Sequence, residues 1–271
     1  MKSTDNIPVL RHLWKQCFEA DNAFLDLFFN KGFSQCSTFC LKEGHDTVSA
    51  LSVFPVEYRG HKGGYIYGVC TAPEHRGHSY ALRLLRDVER HCCDKMQMEF
   101  FILRPASESL FGYYRKAGYT LDIYRNLVAY SLPSIPLPVA AKPLTGKELY
   151  ELRRSCYYDN GIFEWSPDAC DYILDYIRYC HGYAVRVEDN SEYFLGYTDA
   201  EHPDTVICEE AGPVKSQIPS PILLSMVKNL YPSADRILLG VPSRHASQSF
   251  MLCKTEATFI NPHSIFDFTM E

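Results

Sequence analysis

The segment Thr71-Ala72-Pro73-Glu74-His75-Arg76-Gly77-His78-Ser79-Tyr80-Ala81-Leu82 joins an apolar, strand-like run at 65–71 to an amphipathic, leucine-bearing run. The first backbone N–H groups of a helix have no intrahelical acceptor, and the helix dipole adds positive charge at that end. A strand-to-helix turn built this way is an anion cradle suited to phosphate. Downstream, Phe111-Gly112-Tyr113-Tyr114-Arg115-Lys116-Ala117-Gly118-Tyr119 follows a strand-like run at 99–103. It reads as a short helix from about residue 107 that stops at Gly118, the residue suited to a left-handed cap.

In this order and spacing the two segments resemble the signatures of the GNAT acetyltransferases. That family's acetyl-CoA motif, Arg/Gln-x-x-Gly-x-Gly/Ala, lays Arg76 on its first position, Ser79 on the middle glycine and Ala81 on the last small residue. Ser79 is a departure, because serine lacks glycine's freedom at positive φ, yet serine is a favoured N-cap and could still open the helix. The second segment matches the family's aromatic pair followed by x-Lys-x-Gly-Tyr. The resemblance implies a mixed-sheet α/β (α+β) fold and acetyl transfer from acetyl-CoA to a primary amine, by direct attack through a tetrahedral intermediate.

Acyl transfer from a thioester needs a pyrophosphate cradle, donors for the developing oxyanion, a base for the ammonium proton and an acid for the thiolate. The family pattern assigns the cradle to the N–H groups of Arg76, Gly77, His78, Ser79, Tyr80 and Ala81, and the oxyanion donor to the strand at Val69, Cys70 and Thr71. Tyr114 takes the place of the general acid, the other reading being an aromatic that packs on the core. Cys70 reads as a core side chain, and His78 as either phosphate-facing or solvated. The base is open among Asp21, Asp26, Glu57, Glu99 and Glu271, or a water chain. The competing class is a GNAT-like module that senses acyl-CoA without turnover.

The elements that position these residues follow from periodicity. Leu10, Leu13, Trp14, Cys17 and Phe18, and then Ala23, Phe24, Leu27 and Phe28 after an Asp21-Asn22 cap, predict two amphipathic helices. Strands are predicted at 36–43, 47–58 and 64–71, and a helix after the cradle that buries Ala81, Leu85, Val88 and Cys92. The proline-rich stretch at 131–138 reads as an extended linker. Beyond it, helices at 146–156 and 167–179, strands at 182–188, 193–198 and 205–210, a helix at 221–230 and a strand at 236–241 repeat the earlier order.

A register of 138 residues, laying Tyr114–Leu132 on Leu252–Met270, matches Lys116 with Lys254 and Thr120 with Thr258. Together these predict a GNAT domain at 1–132, a linker at 133–141 and a degenerate GNAT-like domain at 142–271. In the second copy Pro219 and Pro221 remove donors where phosphate would need them, and Leu252 replaces the tyrosine. Tandem modules of this kind are similar to the first two modules of the enhanced intracellular survival acetyltransferases, which act on aminoglycoside amines and lysine side chains. The cluster Tyr157, Tyr158, Asp159, Phe163, Glu164 and Trp165 could then cover the cleft and attract an ammonium group, or simply pack internally.

Composition narrows the remaining classes. The 271 residues, 46% hydrophobic, can bury more than one core, and no apolar run reaches membrane-spanning length. Arg11, His12 and Lys15 interrupt any secretory h-region, so a cytoplasmic location is expected. Eleven cysteines without Cys-x-x-Cys pairs read as reduced thiols, and no metal site is expected. A net charge of −6 without a basic cluster disfavours nucleic acid.

Overall fold

The computed structural model describes residues 7–159, 161–188, 190–198, 201–213, 218–241, 249–256 and 258–260. They form two compact units, one of residues 1–122 with 251–259 and the other of 123–250 with 260–271. Both are mixed α/β, as predicted.

In the first unit, α1 (Ile7–Phe18) and α2 (Asn22–Leu27) precede a meander of β1 (Ser37–Glu43), β2 (Asp46–Tyr58) and β3 (His61–Thr71). Asp21 caps α2 as its sequence suggests, accepting from Phe24 N–H at 2.7 Å. The helix α3 (Tyr80–Met96) then returns the chain to β4 (Phe100–Leu103), which runs parallel to β3, and α4 (Glu108–Arg115) leads to β5 (Leu121–Tyr124). Alternation along the strands sends Val48, Leu51, Val53 and Ile66 to the face packed by Leu84, Leu85, Val88 and Cys92 of α3 and by Tyr114. Ala81, expected on that buried face, is only half-buried at the helix start, and Leu84 lies there instead. Around Tyr67 cluster Trp14 of α1 and Phe28, with Trp14 and Phe28 stacked at 4.1 Å between centroids.

The second unit holds β6 (Asn126–Ser131), β7 (Ala141–Pro143), α5 (Gly146–Tyr157), the two-residue β8 (Glu164–Trp165), α6 (Pro167–Tyr179), β9 (Tyr183–Val187), β10 (Tyr193–Thr198), β11 (Thr205–Gly212), α7 (Pro221–Leu230) and β12 (Arg236–Val241). A last strand, β13 (Ser249–Thr255), belongs to the first sheet. The sheet orders are β1-β2-β3-β4-β13-β5 and β6-β12-β11-β10-β9-β7. In each, a meander leads through a helix to a parallel strand, β3 to β4 and β11 to β12.

The expected division at 133–141 differs from these units. The strand next to β4 is β13, with Leu252 opposite Leu103, and the strand next to β12 is β6, with Ile237 opposite Tyr130. Each unit therefore takes its strand beyond the parallel pair from the far part of the chain. The proline-rich stretch lies in the second unit, where Asn229 Nδ2 donates to the Leu137 carbonyl at 2.9 Å. The register of 138 residues is also corrected. Tyr114 is helical and Leu252 is in a strand, so that alignment lays unlike elements on each other, and residues 261–271 fall outside the described set. The repeat exists in element order, not in that register.

Lys254 has a different use from the one its match with Lys116 suggested. Its ammonium donates to Glu89 Oε2 at 2.6 Å and to the Ala117 carbonyl at 2.9 Å, while Tyr119 Oη donates to Glu89 Oε1 at 2.7 Å. Buried Glu89 thus has both oxygens satisfied, one of them from β13.

Candidate active site

The site is built where β3 loses its neighbour. The parallel ladder between β3 and β4 ends at Tyr65 opposite Ile102, although β3 continues to Thr71. On the β2 side, Ala50 faces Cys70 and Ser52 faces Tyr67, so Gly68 and Val69 together oppose Leu51 in a bulge. Gly68 has φ +61°, and a Cβ there would lie 2.5 Å from Trp14 Cζ2. Only glycine meets both demands. Beyond the bulge the strand is pinned to β2, with Ser49 Oγ donating to the Cys70 carbonyl at 2.7 Å and Ala72 N–H to the Val48 carbonyl at 2.9 Å. Val69, Cys70 and Thr71 therefore lie on a held, bulged strand whose outer edge has no partner strand among the described residues, an arrangement in which backbone N–H groups stay available to a ligand.

The turn that follows is equally open. A single 3₁₀ turn, Pro73–His75, uses the Arg76 N–H, which donates to the Pro73 carbonyl at 3.3 Å. Arg76 thus leaves the predicted N–H cradle, and its side chain instead donates from Nε to the Thr71 carbonyl at 3.3 Å. Gly77 has φ +86° with nothing within 4 Å of a Cβ position. Among the described residues no acceptor engages the N–H groups of Gly77, His78, Ser79, Tyr80, Ala81 and Leu82, and the first bond of α3 runs from Arg83 N–H to the Ser79 carbonyl at 3.0 Å.

Ser79 is the N-cap residue, as predicted, but by backbone position only. It sits at φ 58°, ψ 21°, and its side chain makes no capping bond. Serine here adopts the left-handed geometry that glycine takes without a Cβ penalty, at the cost of local strain. Tyr80 has the half-buried His75 and the exposed His78 rings 6.2 and 5.7 Å away, and the nearby Glu43 carboxylate raises its pKa.

The corresponding helix of the second unit is closed. Ser220 has an extended φ of −69° and accepts from Leu223 N–H at 3.0 Å, with Pro221 next. Its hydroxyl also donates to the Glu192 carboxylate. One free donor is consumed, another is absent, and a carboxylate stands where an anion would go. Residues 214–217 of the predicted degenerate cradle lie outside the described set.

Tyr114 ends α4 against the core, 8% exposed, its ring edge-on to Tyr113 and Tyr119 at 5.3 and 6.1 Å. Burial, followed by the neighbouring Tyr113 and Cys70, pushes its pKa above that of an ordinary phenol. Tyr114 belongs to the core cluster against which Val69 of the bulged part of β3 packs. Among the described residues its hydroxyl has no hydrogen-bond partner. A neutral, undonated phenol beside an open strand edge is what an acid for a leaving thiolate requires.

The predicted bases are less distinctive. Asp21 caps α2, Asp26 pairs with Arg11 at 2.6 Å, Glu99 contacts His61 Nδ1 at 3.0 Å, and Glu57 is an exposed strand residue opposite Lys62. Glu271 lies outside the described residues. Of the two readings of the aromatic and acidic cluster, internal packing holds for Tyr157, Phe163 and Trp165, which are buried, while Glu164 pairs with Arg154 Nε at 3.0 Å and Tyr158 and Asp159 are exposed. The three buried aromatic faces are not open to a ligand.

The site therefore joins an uncapped helix N-terminus, a splayed strand and a free phenol in one unit. Residues 3–121 match the family model described as an acetyltransferase (GNAT) domain. Over these residues the chain is similar to the GNAT acetyltransferases. No curated protein sequence matches the chain significantly. Among solved structures, a conserved Enterococcus faecalis V583 protein of unknown function shares 14% identity at a TM-score of 0.70, covering 94% of this chain and 71% of its own. A GCN5-related N-acetyltransferase from Kribbella flavida shares 16% at 0.67, covering 94% and 69%. Eis1 from Mycobacterium abscessus shares 10% at 0.62, covering 94% and 72%. At these identities the likeness is one of fold, and it extends across both units. Among the described residues no cluster could hold a metal ion, and no helix is long and apolar enough to cross a membrane.

Two features of this site escape motif reading. Gly68 is a glycine inside a strand, a recognised sign of a bulge. Cys17 looks like one more apolar position of α1, yet its sulfur donates to the Thr71 carbonyl at 3.2 Å.

Proposed function

We propose that this chain is an acetyl-CoA-dependent N-acetyltransferase acting on a primary amine, with its chemistry in the first unit. The observation that carries the reading is the left-handed, uncapped entry into α3 at Ser79, which leaves the N–H groups from Gly77 to Leu82 without acceptors. These groups would bind the pyrophosphate, with Gly77 allowing close approach because nothing lies within 4 Å of its Cβ position. The bulged strand at Val69, Cys70 and Thr71 would orient the acyl carbonyl and donate to its oxygen as negative charge develops. The neutral amine attacks that carbon, the tetrahedral intermediate passes its ammonium proton to water, and the C–S bond breaks as the carbonyl re-forms. Tyr114 gives its proton to the departing thiolate. The second unit, with its capped α7 and Glu192, is a degenerate GNAT-like module that performs no chemistry.

The test is thiol release from acetyl-CoA with a panel of polyamines, aminoglycosides and lysine peptides, with mass spectrometry of the acceptor. Thiol release matched by an acceptor gaining one acetyl group supports the proposal. CoA binding without acetylation of any amine replaces the enzyme with an acyl-CoA sensor.

A further inference from the structure

Tyr114 Oη makes no hydrogen bond among the described residues, so the place of its proton is set by how its backbone and ring are held. The backbone is held by the turn that ends α4. The N–H groups of Ala117 and Tyr119 donate to the Tyr114 carbonyl at 2.9 and 3.3 Å, and Gly118, at φ +97°, carries the chain around. The ring lies edge-on to Tyr113 and Tyr119.

Three groups meet on this turn. Lys254 of β13 donates to the Ala117 carbonyl at 2.9 Å and to Glu89 Oε2 at 2.6 Å, and its Cε lies 3.2 Å from the Cβ position of Gly118, so the lysine lies across the turn. Tyr119 Oη donates to Glu89 Oε1 at 2.7 Å. Glu89 is buried on α3, the helix whose N-terminus forms the cradle, about two and a half turns beyond Tyr80. One carboxylate thus joins the ring beside Tyr114, the lysine that grips the turn behind it, and α3. β13 itself is fixed on β4, with Lys254 opposite Phe101. A buried polar network whose members are all satisfied is rigid, and this one braces α4 against α3.

We propose that Lys254, Glu89 and Tyr119 form a positioning cluster that sets Tyr114 at a fixed place relative to the phosphate cradle, a role that rests on the reading of Tyr114 as the acid. Acetyl-CoA anchored at the cradle presents its sulfur at a fixed reach. A turn that slips against α3 therefore moves the phenol off the leaving thiolate without touching the N–H groups of the cradle. Such a displacement costs rate and spares cofactor affinity. The strand that completes the first sheet from the far part of the chain thereby also aims its proton donor.

The test uses the full chain at a temperature where circular dichroism shows each variant folded. Tyr119→Phe keeps the ring and removes one donor to Glu89, and Lys254→Met removes the cation. Both should lower kcat by about tenfold or more at unchanged calorimetric CoA affinity, and Lys254→Arg, which retains the cation, should lose less. In a Tyr114→Phe background the same substitutions should cost little further, because no positioned proton is left to misplace. A 3-fluorotyrosine placed at position 114 alone should shift or broaden its fluorine resonance in Tyr119→Phe and Lys254→Met, a readout independent of acetyl transfer. If Lys254→Met does not fold, Tyr119→Phe decides. Losses that add in full to that of Tyr114→Phe, losses confined to CoA affinity, or an unmoved fluorine resonance overturn the cluster; a wild-type chain that binds CoA and acetylates no amine overturns the acid reading beneath it.

Discussion

Tyr114 and Ser79 are the two residues on which the chemistry turns, and each is testable alone. Replacing Tyr114 by Phe removes one hydroxyl that has no partner among the described residues, so folding and CoA affinity should persist. Turnover should fall by on the order of 10²-fold or more, the usual worth of a positioned acid. Because burial raises its pKa above the phenol value of about 10, the protonated form is present throughout the neutral range. Tyr114 should therefore cause no alkaline loss of kcat below about pH 10, and a limb at lower pH that vanishes in Tyr114→Phe would contradict its buried, neutral state. Ser79→Gly should remove left-handed strain and stabilise the fold by about 1 kcal/mol or less, without loss of CoA binding, read by denaturant midpoint and calorimetry. The motif identified both positions, but the left-handed angle at Ser79 and the loss of the Arg76 N–H to Pro73 depend on turn geometry that residue types do not encode.

Elements explain why one helix N-terminus is open and its counterpart closed. Ser220→Ala deletes the cap on Leu223 and should cost about 1 kcal/mol, whereas Ser79→Ala should change stability by only a few tenths, since Ser79 makes no side-chain capping bond. Equal losses in thermal unfolding would mean that the two termini are capped alike. Gly68→Ala meets both a positive φ and Trp14 at 2.5 Å, so it should cost upward of about 2 kcal/mol and disturb the strand that holds Val69 to Thr71. The helices, the meanders and the Asp21 cap were legible because hydrophobic period and capping chemistry are local. The positions of β6 and β13 were not, because strand pairing is decided by hydrogen-bonding edges far apart in sequence. The cluster from Tyr157 to Trp165 could be read two ways for a related reason: aromatic residues suit a ligand surface and a core equally well, and burial decides for Tyr157, Phe163 and Trp165.

At the scale of the whole molecule, the first unit is incomplete without β13. Lys254 supplies a donor to buried Glu89, so Lys254→Met should destabilise this unit by roughly 3–5 kcal/mol, since it leaves a buried carboxylate without its cation. A fragment of residues 1–132 lacks β13 and should be less cooperative in unfolding than the full chain. The tandem arrangement was visible as a repeated order of elements, but the exact register drawn between Tyr114 and Leu252 was not a true correspondence. The open cradle belongs to one unit and the capped one to the other, which predicts a single cofactor site. Calorimetric titration of the full chain with CoA tests this most directly. One CoA per chain, lost when Gly77→Asp sets a carboxylate among the free N–H groups, is the expected result; two CoA molecules per chain, or binding that survives this substitution, would contradict it.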